Sequence, residues 1–588
     1  MDDLITPFDI PLIADLIAQY LSKKDYANCI YVSKTFHGLF KRYFWYNVNK
    51  RLQGDLDSWT ELTPEYRKGI LENGQHIRRL SIAEVAPGEL LKFLASPSSP
   101  CKNLLGLIYT SQVYDPSTSH VYLAELVRSN ARLQKLKFKL DEDENRRGLC
   151  GKLIDVIGKH SSLMELEASV TYQAYYDYQE DFLLHLPKTL RKLKLDFYCV
   201  ADAYEDDSEY SDSSDSDDDG EDGDGIKFYE TFGAYPQMKS FTILTRLSKR
   251  EAPAILSFIR GCSGLERFRV RGISPLVTQK FLAVLSDAHI FSNLAELHFG
   301  GATFIEPDWR RLLNGMQGRI KSFSIAQVNF IPSPTSFIQA MTTQWADSLE
   351  VLRFLDYIEL SGMDIEWILR TCSKLTTFTI SHYLNIFDWS GHNNVEGSNA
   401  LSEHENHGNA STWACLGLEN LEIMFMDNPG SIASDTGSIN ILGNNVEHQE
   451  QPTVDRIELI YKKLGRLTKL QRLRISWLSE DETTQLDMSI KSGLNHMSGL
   501  KGLKVLDVSG INTTNIGQEE VEWIVENWPN LFEIRGLFLK QFRDLFGMLD
   551  GLDDEDEGFG ILESGSKQVN ELAHFQWLKR QRPYMIVS

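Results

Sequence analysis

A short pattern, Leu-x-x-Leu-x-Φ with Φ apolar, recurs along almost the whole chain, and a repeat of this kind restricts the fold more than any other property of the sequence. Clear copies occupy Leu133/Leu136/Phe138, Leu190/Leu193/Leu195, Leu265/Phe268/Val270, Leu294/Leu297/Phe299, Leu349/Leu352/Phe354, Leu375/Phe378/Ile380, Leu418/Leu421/Ile423, Leu470/Leu473/Ile475 and Leu503/Leu506/Val508. Weaker copies start at Ile77, Leu104, Leu163, Met238, Ile320 and Leu531, making about fifteen in all. Ten of the fourteen gaps between successive starts measure 26 to 30 residues, a regularity that scattered leucines would not produce. The last two apolar positions of each copy alternate with polar ones, as in a short strand with one buried face. Amphipathic segments such as Ala254 to Arg260 and Glu520 to Glu526 read as the returning helix. One strand and one helix cannot enclose a core, whereas fifteen stacked pairs can. The expected fold class is therefore α/β, a horseshoe-like solenoid of about fifteen strand-helix repeats.

Several copies carry a small or polar residue at one offset. Cys101, Cys262 and Cys372 each stand three positions before the first leucine, and Asn130 and His160 take the same place elsewhere. These features resemble the cysteine-containing type of leucine-rich repeat, over roughly residues 77 to 540. The resemblance implies that this residue caps the helix-to-strand turn, so the cysteines are expected to be buried and structural. The three longest gaps hold polar insertions at about 201–225, 391–412 and 428–452. The domain plan is then a helical module over 1–46, a helical linker or cap over 47–76, the solenoid over 77–545, and an acidic run with a tail over 546–588.

Composition narrows the setting. Apolar residues make up 42% of the 588 and charged residues 24%, which suits a globular chain with large buried surfaces. The opening MDDLITPFDI has acids where a secretory signal carries positive charge, and no segment has the roughly 18 uncharged apolar residues of a membrane span. A place in the cytoplasm and/or nucleus is expected, without a membrane. Seven scattered cysteines then read as reduced thiols, and the glycosylation-like Asn409-Ala-Ser and Asn512-Thr-Thr as chance matches. The net charge of −22 argues against nucleic acid, whose binding needs surplus cations. Thirteen of the acids lie between Asp202 and Asp224 with five serines, and six more between Asp550 and Glu557.

Residues 8 to 45 depart from the repeat and read as two or three short amphipathic helices. Ile13, Leu16, Ile17, Tyr20 and Leu21 share one face; Asp25 can cap a second helix with Cys29, Ile30 and Val32; Phe36, Leu39, Phe40, Phe44 and Trp45 mark a third. About forty residues form too small a core to stand alone. This segment resembles the F-box family, especially the fungal F-box/leucine-rich-repeat proteins, through Ile10-Pro11, Ile13, Ile17, Tyr20-Leu21, Lys24-Asp25, Val32 to Phe36 and Trp45. The resemblance implies that Ile10, Pro11, Ile13, Ile17, Leu21, Val32, Phe36 and Trp45 present an apolar surface to a Skp-type linker protein, and through it to a cullin. Leu12 and Ile13 stand where that family usually carries an acid. A cap over the first repeat is the other reading of this module.

No phosphate loop, Gly-x-Ser-x-Gly turn, His-Glu-x-x-His or zinc-ligand spacing occurs, so neither catalysis nor a cofactor is expected. His392, His404 and His407 lie near Glu403 and Glu405, but loop histidines among polar residues read as solvated, and no metal is expected. Lys579-Arg580-Gln-Arg582 reads as a nuclear address or a polar tail. Strand alternation places Lys135, Lys137, Lys139, Lys192, Lys194, Arg267, Arg269, Arg271, Arg353, Arg472 and Arg474 on the concave face, which makes that face basic in an acidic protein. It is expected to bind a target protein through an acidic or phosphorylated segment. The acidic insertion is either a solubilising loop or a ligand in cis; Ser214 and Ser216, each with an aspartate three residues later, resemble sites of acid-directed kinases. The expected function is a substrate-recognition adaptor of a Skp-cullin-F-box type ubiquitin ligase. The alternative is a leucine-rich-repeat scaffold or GTPase regulator unrelated to ubiquitin.

Overall fold

The computed structural model describes residues 11–50, 64–84, 89–111, 119–141, 147–172, 182–199, 232–247, 252–287, 291–316, 320–331, 334–355, 360–385, 413–426, 453–478, 488–509, 511, 516–536, 574 and 576–587. The three polar insertions, Ser214, Ser216, Ile10, the loop histidines and the Asp550 to Glu557 run lie outside the described residues. The chain divides into two compact units, Met1–Val277 with Asp287–Asn293, and Thr278–Ser286 with Leu294–Ser588.

The first unit opens with three helices, α1 (Pro11–Tyr20), α2 (Lys23–Val32) and α3 (Lys34–Tyr46). A ladder of parallel strands follows: β1 (Asn47–Lys50), β2 (Arg79–Glu84), β3 (Gly106–Ser111), β4 (Lys135–Asp141), β5 (Glu165–Tyr172), β6 (Lys192–Cys199), β7 (Ser240–Leu247) and β8 (Arg267–Ile273). The second unit repeats the plan with β9 (Glu296–Gly300), β11 (Ser322–Ala326), β13 (Val351–Leu355), β14 (Thr377–Asn385), β15 (Asn420–Met426), β16 (Arg472–Leu478), β17 (Val505–Asp507), β18 (Glu533–Arg535) and β19 (Ile586–Val587). A short parallel pair, β10 (Thr303–Ile305) and β12 (Asn329–Ile331), lies beside it. Helices such as Ser119–Ser129, Ala252–Arg260 and Gln518–Asn527 return the chain between strands. Each unit has the α/β strand-and-helix repeat expected of a leucine-rich-repeat solenoid, and in all fifteen copies the strand begins two residues after the first apolar position.

The reason lies in how the repeat distributes its side chains and backbone groups. Leu133, Leu136 and Phe138 are each at most 2% exposed, as are Leu190, Leu193 and Leu195, so the triplet closes the core between strand and helix. At most turns into a strand one carbonyl of the preceding repeat accepts two successive N–H groups. Leu105 O takes Gln134 N at 2.9 Å and Lys135 N at 3.0 Å; Gln134 O takes Met164 N and Glu165 N, both at 2.9 Å. Glu350 O does the same for Thr376 N and Thr377 N in the second unit. These bonds fix register, and register stacks each leucine on its counterpart.

The capping offset is equally regular. The Asn130 amide donates to Leu126 O at 2.8 Å and its Oδ1 accepts Leu104 N at 2.9 Å, which sews a helix end to the preceding repeat. His160 Nε2 donates to Asn130 O at 2.9 Å, and Cys262 Sγ to Phe258 O at 3.3 Å. Cys415, three residues before Leu418, joins Cys101, Cys262 and Cys372 as a buried member of the set. Burial pushes the Cys101 thiol up to about 11 and those of Cys262, Cys372 and Cys415 up to about 12, so all four stay protonated and inert. Gly74 takes this place before Ile77, because a Cβ there would lie 2.5 Å from Pro100 Cγ and 2.9 Å from Cys101 Sγ.

Four boundaries differ from expectation. Residues 47–76, read as helical, begin with β1, which pairs with β2 from Asn47↔Arg79 to Lys50↔Ile82; helix Pro64–Asn73 follows. The tail over 546–588 returns to the ladder, where β19 pairs with β18. Arg582 anchors it with bonds to Val525 O, Trp528 O and Leu531 O at 2.5, 2.9 and 2.9 Å, so the basic cluster there holds the terminal repeat in place. The N-cap of α2 is Ser22, with Asp25 completing a capping box from the third helical position. The α1 face is rotated: Ala14 and Ala18 are buried, while Leu16 and Tyr20 are 49% and 88% exposed.

A charge cluster inside the second unit joins two helices. Glu366, on helix Gly362–Thr371, accepts from Lys463 Nζ at 3.0 Å, Arg370 Nε at 3.1 Å and Trp413 Nε1 at 3.2 Å. Lys463 belongs to helix Thr453–Leu464, which follows an insertion, so the pair docks that helix on its neighbour. Burial pushes the Glu366 carboxyl up, yet the charge and hydrogen bond of Lys463, the Trp413 bond and Arg370 together hold it below the ordinary carboxylate value of 4.5.

Replacing Asn130 with alanine leaves the buried Leu104 N without its partner and should cost about 1–3 kcal/mol in urea unfolding. Because the Glu366 pKa is depressed in the fold, its contribution is present in full above the unfolded value and is lost as pH falls through the folded one. The urea midpoint should therefore fall on acidification below about 4.5, and Glu366→Gln should shrink that fall while lowering stability at pH 7 by about 3–5 kcal/mol.

Candidate functional site

Strand alternation leaves one face of each ladder to the helices and the other open. On β8 the residues read exposed, buried, exposed: Arg267, Arg269 and Arg271 stand out while Phe268 and Val270 are buried. Lys135, Lys139 and Lys192 are also exposed, and Lys137 and Lys194 half-buried. Register brings these cations into rows. The first runs Arg79, Gly106, Lys135, Glu165, Lys192, Ser240, Arg267; the second runs Ser81, Ile108, Lys137, Glu167, Lys194, Thr242, Arg269.

Acids stand among the cations in these rows. Glu165 and Glu167 of β5 sit between the lysines of β4 and β6. Lys135 pairs with Glu165 at 2.8 Å, while Lys137 and Lys194 close on Glu167 Oε1 at 2.9 and 2.7 Å. The Lys135 hydrogen bond holds the Glu165 carboxyl below its usual range. Burial pushes Glu167 up, but its bonds from Lys194 and Lys137 outweigh that and hold it low. The strands carrying these two acids and their lysines come from adjacent repeats, so the neutralising contacts arise only once the ladder forms.

In the second unit Arg474 pairs with Glu422 at 2.6 Å and Asp507 at 3.5 Å. Its row, Arg353, Thr379, Glu422, Arg474, Asp507, Arg535, alternates sign over the last four strands. Arg353 is half-buried and Arg472 exposed. Among the described residues no group of three or more His, Cys, Asp or Glu side chains is placed to hold a metal, and no helix is long and apolar enough to cross a membrane.

The N-terminal module presents a different surface. Among the described residues, Ala14, Ala18 and Phe40 are the buried side chains of α1 to α3, and α2 buries none. The Tyr26 hydroxyl donates to Ala18 O, and Arg42 pairs with Asp15 at 2.8 Å, tying α3 to α1. Ile13, Ile17, Leu21 and Phe36 are half-buried, with Phe36 against Phe40 at 5.5 Å between ring centroids. Val32 is 67% exposed and Tyr31 88%. Pro11 begins α1. Trp45 faces inward: a Cβ on Gly69 would lie 2.9 Å from its ring, so the indole lies against helix Pro64–Asn73. Leu16, Tyr20 and Tyr31 were missed as surface residues, since a helical wheel shows which residues share a face but not which face is covered.

No protein-family model matches the sequence, and no curated protein matches it. Among solved structures, a leucine-rich-repeat protein of Leptospira interrogans is similar at 13% identity and a TM-score of 0.33, covering 83% of this chain and 95% of that one. The complex of Rad7 and Elc1 in yeast is similar at 14% identity and a TM-score of 0.31, covering 52% of this chain and 71% of that one.

Glu167→Gln removes the acid shared by Lys137 and Lys194. It should raise affinity for an acidic peptide by roughly two- to fivefold at low salt, an effect that 0.5 M salt abolishes; equal binding by both proteins at low salt would contradict the pairing.

Proposed function

We propose that this chain is a substrate-recognition adaptor of a Skp-cullin-F-box type ubiquitin ligase. In this reading the three-helix module docks a Skp-type linker protein, a cullin joins through the linker, and the repeats hold the target. The observation that carries it is the economy of the module. Three helices bury so little of their own apolar surface that Leu16, Tyr20, Tyr31 and Val32 remain 49%, 88%, 88% and 67% exposed. Large exposed apolar side chains of this kind favour a partner surface.

The same module is joined firmly to the ladder. α3 runs directly into β1, Tyr46 O accepts Arg78 N at 3.0 Å, and Val48 takes the register place of Leu80 in β2. A partner on the helices would thus be held in fixed relation to the first repeats. This suits an adaptor, which has to present a target to chemistry supplied by other proteins. No enzyme activity of the chain itself is part of the proposal.

Tyr20→Asp with Val32→Asp alters exposed positions and should leave the fold intact. It should reduce capture of a Skp-type linker protein at least roughly tenfold in a titrated pull-down. Unchanged capture by this variant, or no capture by the native chain, would favour a repeat scaffold or GTPase regulator without a ubiquitin role.

A further inference from the structure

Two groups of cations stand out on the first unit's open face. Lys135, Lys137 and Lys194 are tied to Glu165 and Glu167. Arg267, Arg269 and Arg271 have no ion-pair partner among the described residues, and the neighbours opposite the first two on β7 are the uncharged Ser240 and Thr242. We propose that β8 reads anionic groups at alternate residues of an extended segment of a partner protein, one guanidinium to each group. The proposal deepens the adaptor reading by naming the class of target, and rests on that reading for the open face being where a target lies.

Geometry gives the spacing. Side chains two apart on a strand recur every ~6.6 Å on one face, so the three arginines span about 13 Å. An extended peptide alongside has the same repeat, which aligns carboxylates or phosphates at every second residue with successive guanidiniums. Arginine suits this task better than lysine, because its planar fork takes either group through two parallel hydrogen bonds. Lys192, exposed in the same row as Arg267 with Ser240 between them, extends the positive surface sideways. Three like charges on alternate positions repel one another, and a row of anions relieves that repulsion.

A single-stranded nucleic acid also carries evenly spaced phosphates, but its binding sites combine cations with aromatic platforms on which bases stack. The large apolar side chains found exposed among the described residues of the first unit are Leu16, Tyr20, Tyr31, Val32, Tyr46 and Leu71, none of them on β2 to β8. The chain's charge of −22 further opposes a polyanion of that length.

The test uses the full chain and fluorescent nine-residue peptides in which glycine alternates with phosphoserine, with aspartate or with serine. The phosphoserine peptide, the aspartate peptide or both should bind at 50 mM salt, the difference telling phosphate from carboxylate, and the serine peptide should not. Combined Arg267→Ala, Arg269→Ala and Arg271→Ala should weaken binding roughly a hundredfold, while Lys135→Ala with Lys137→Ala changes it less than about threefold.

Equal binding by the arginine variant overturns the proposal, as does equal binding of a peptide whose phosphoserines stand three residues apart. Tighter binding of an oligothymidylate replaces the peptide with nucleic acid. A large gain in affinity on deleting residues 202–224 assigns the arginines to the chain's own acidic segment and overturns the partner assignment. Linker capture is measured on the same proteins. An arginine variant that loses the peptide yet captures the linker supports the proposal, and peptide binding by a chain that captures no linker supports it while removing the adaptor reading.

Discussion

Within each unit most repeats are held to the one before by a carbonyl that accepts two successive N–H groups at the entrance to the strand, as Leu105 O does from Gln134 and Lys135. A short strand has few ladder bonds of its own, so a slip of one residue would turn its leucines to solvent and its charges inward. The paired bond prevents that slip. It keeps Leu80, Leu107, Leu136, Leu166, Leu193, Phe241 and Phe268 in one buried row and the cations in open rows beside it. Core, capping residues and binding face are three consequences of the same registration.

The core was legible because its signal is local. Leucine spacing within six residues states where a strand starts, and tertiary context had nothing to override. The capping offset was legible for the same reason, though its chemistry varies: Asn130 uses both ends of its amide, whereas Cys262 offers a thiol to Phe258 O. The first and last strands were not legible. β1 lacks the leucine pair, Trp45 and Val48 standing in its place, and β19 is recruited from beyond the acidic run by Arg582. Both lie at ladder ends, where a strand needs one neighbour rather than two and the sequence requirement relaxes.

The open face was legible only in outline. Alternation placed the lysines and arginines outward, but their net effect depends on which acids face them from adjacent repeats, and that is a property of the stack. Glu167 neutralises lysines from two sides, while β8 finds serine and threonine opposite. Along the first unit's strand order the open face is closed by internal pairs at β4 to β6, while at β8 the arginines have no ion-pair partner among the described residues. A similar limit applied to α1, whose apolar residues were apparent but whose covered side is the one carrying Ala14 and Ala18.

The proposed docking surface on α1 and α2 and the proposed reading surface on the strands are joined through a continuous backbone connection at α3 and β1. In this reading the two surfaces serve different partners. Hydrogen exchange of the full chain, followed with and without a Skp-type linker protein, tests this most directly. Exchange should slow in α1 and α2, including amides near Tyr20 and Val32, with β2 to β8 unchanged. Protection confined to the repeat strands, or none within residues 11–46, would contradict it.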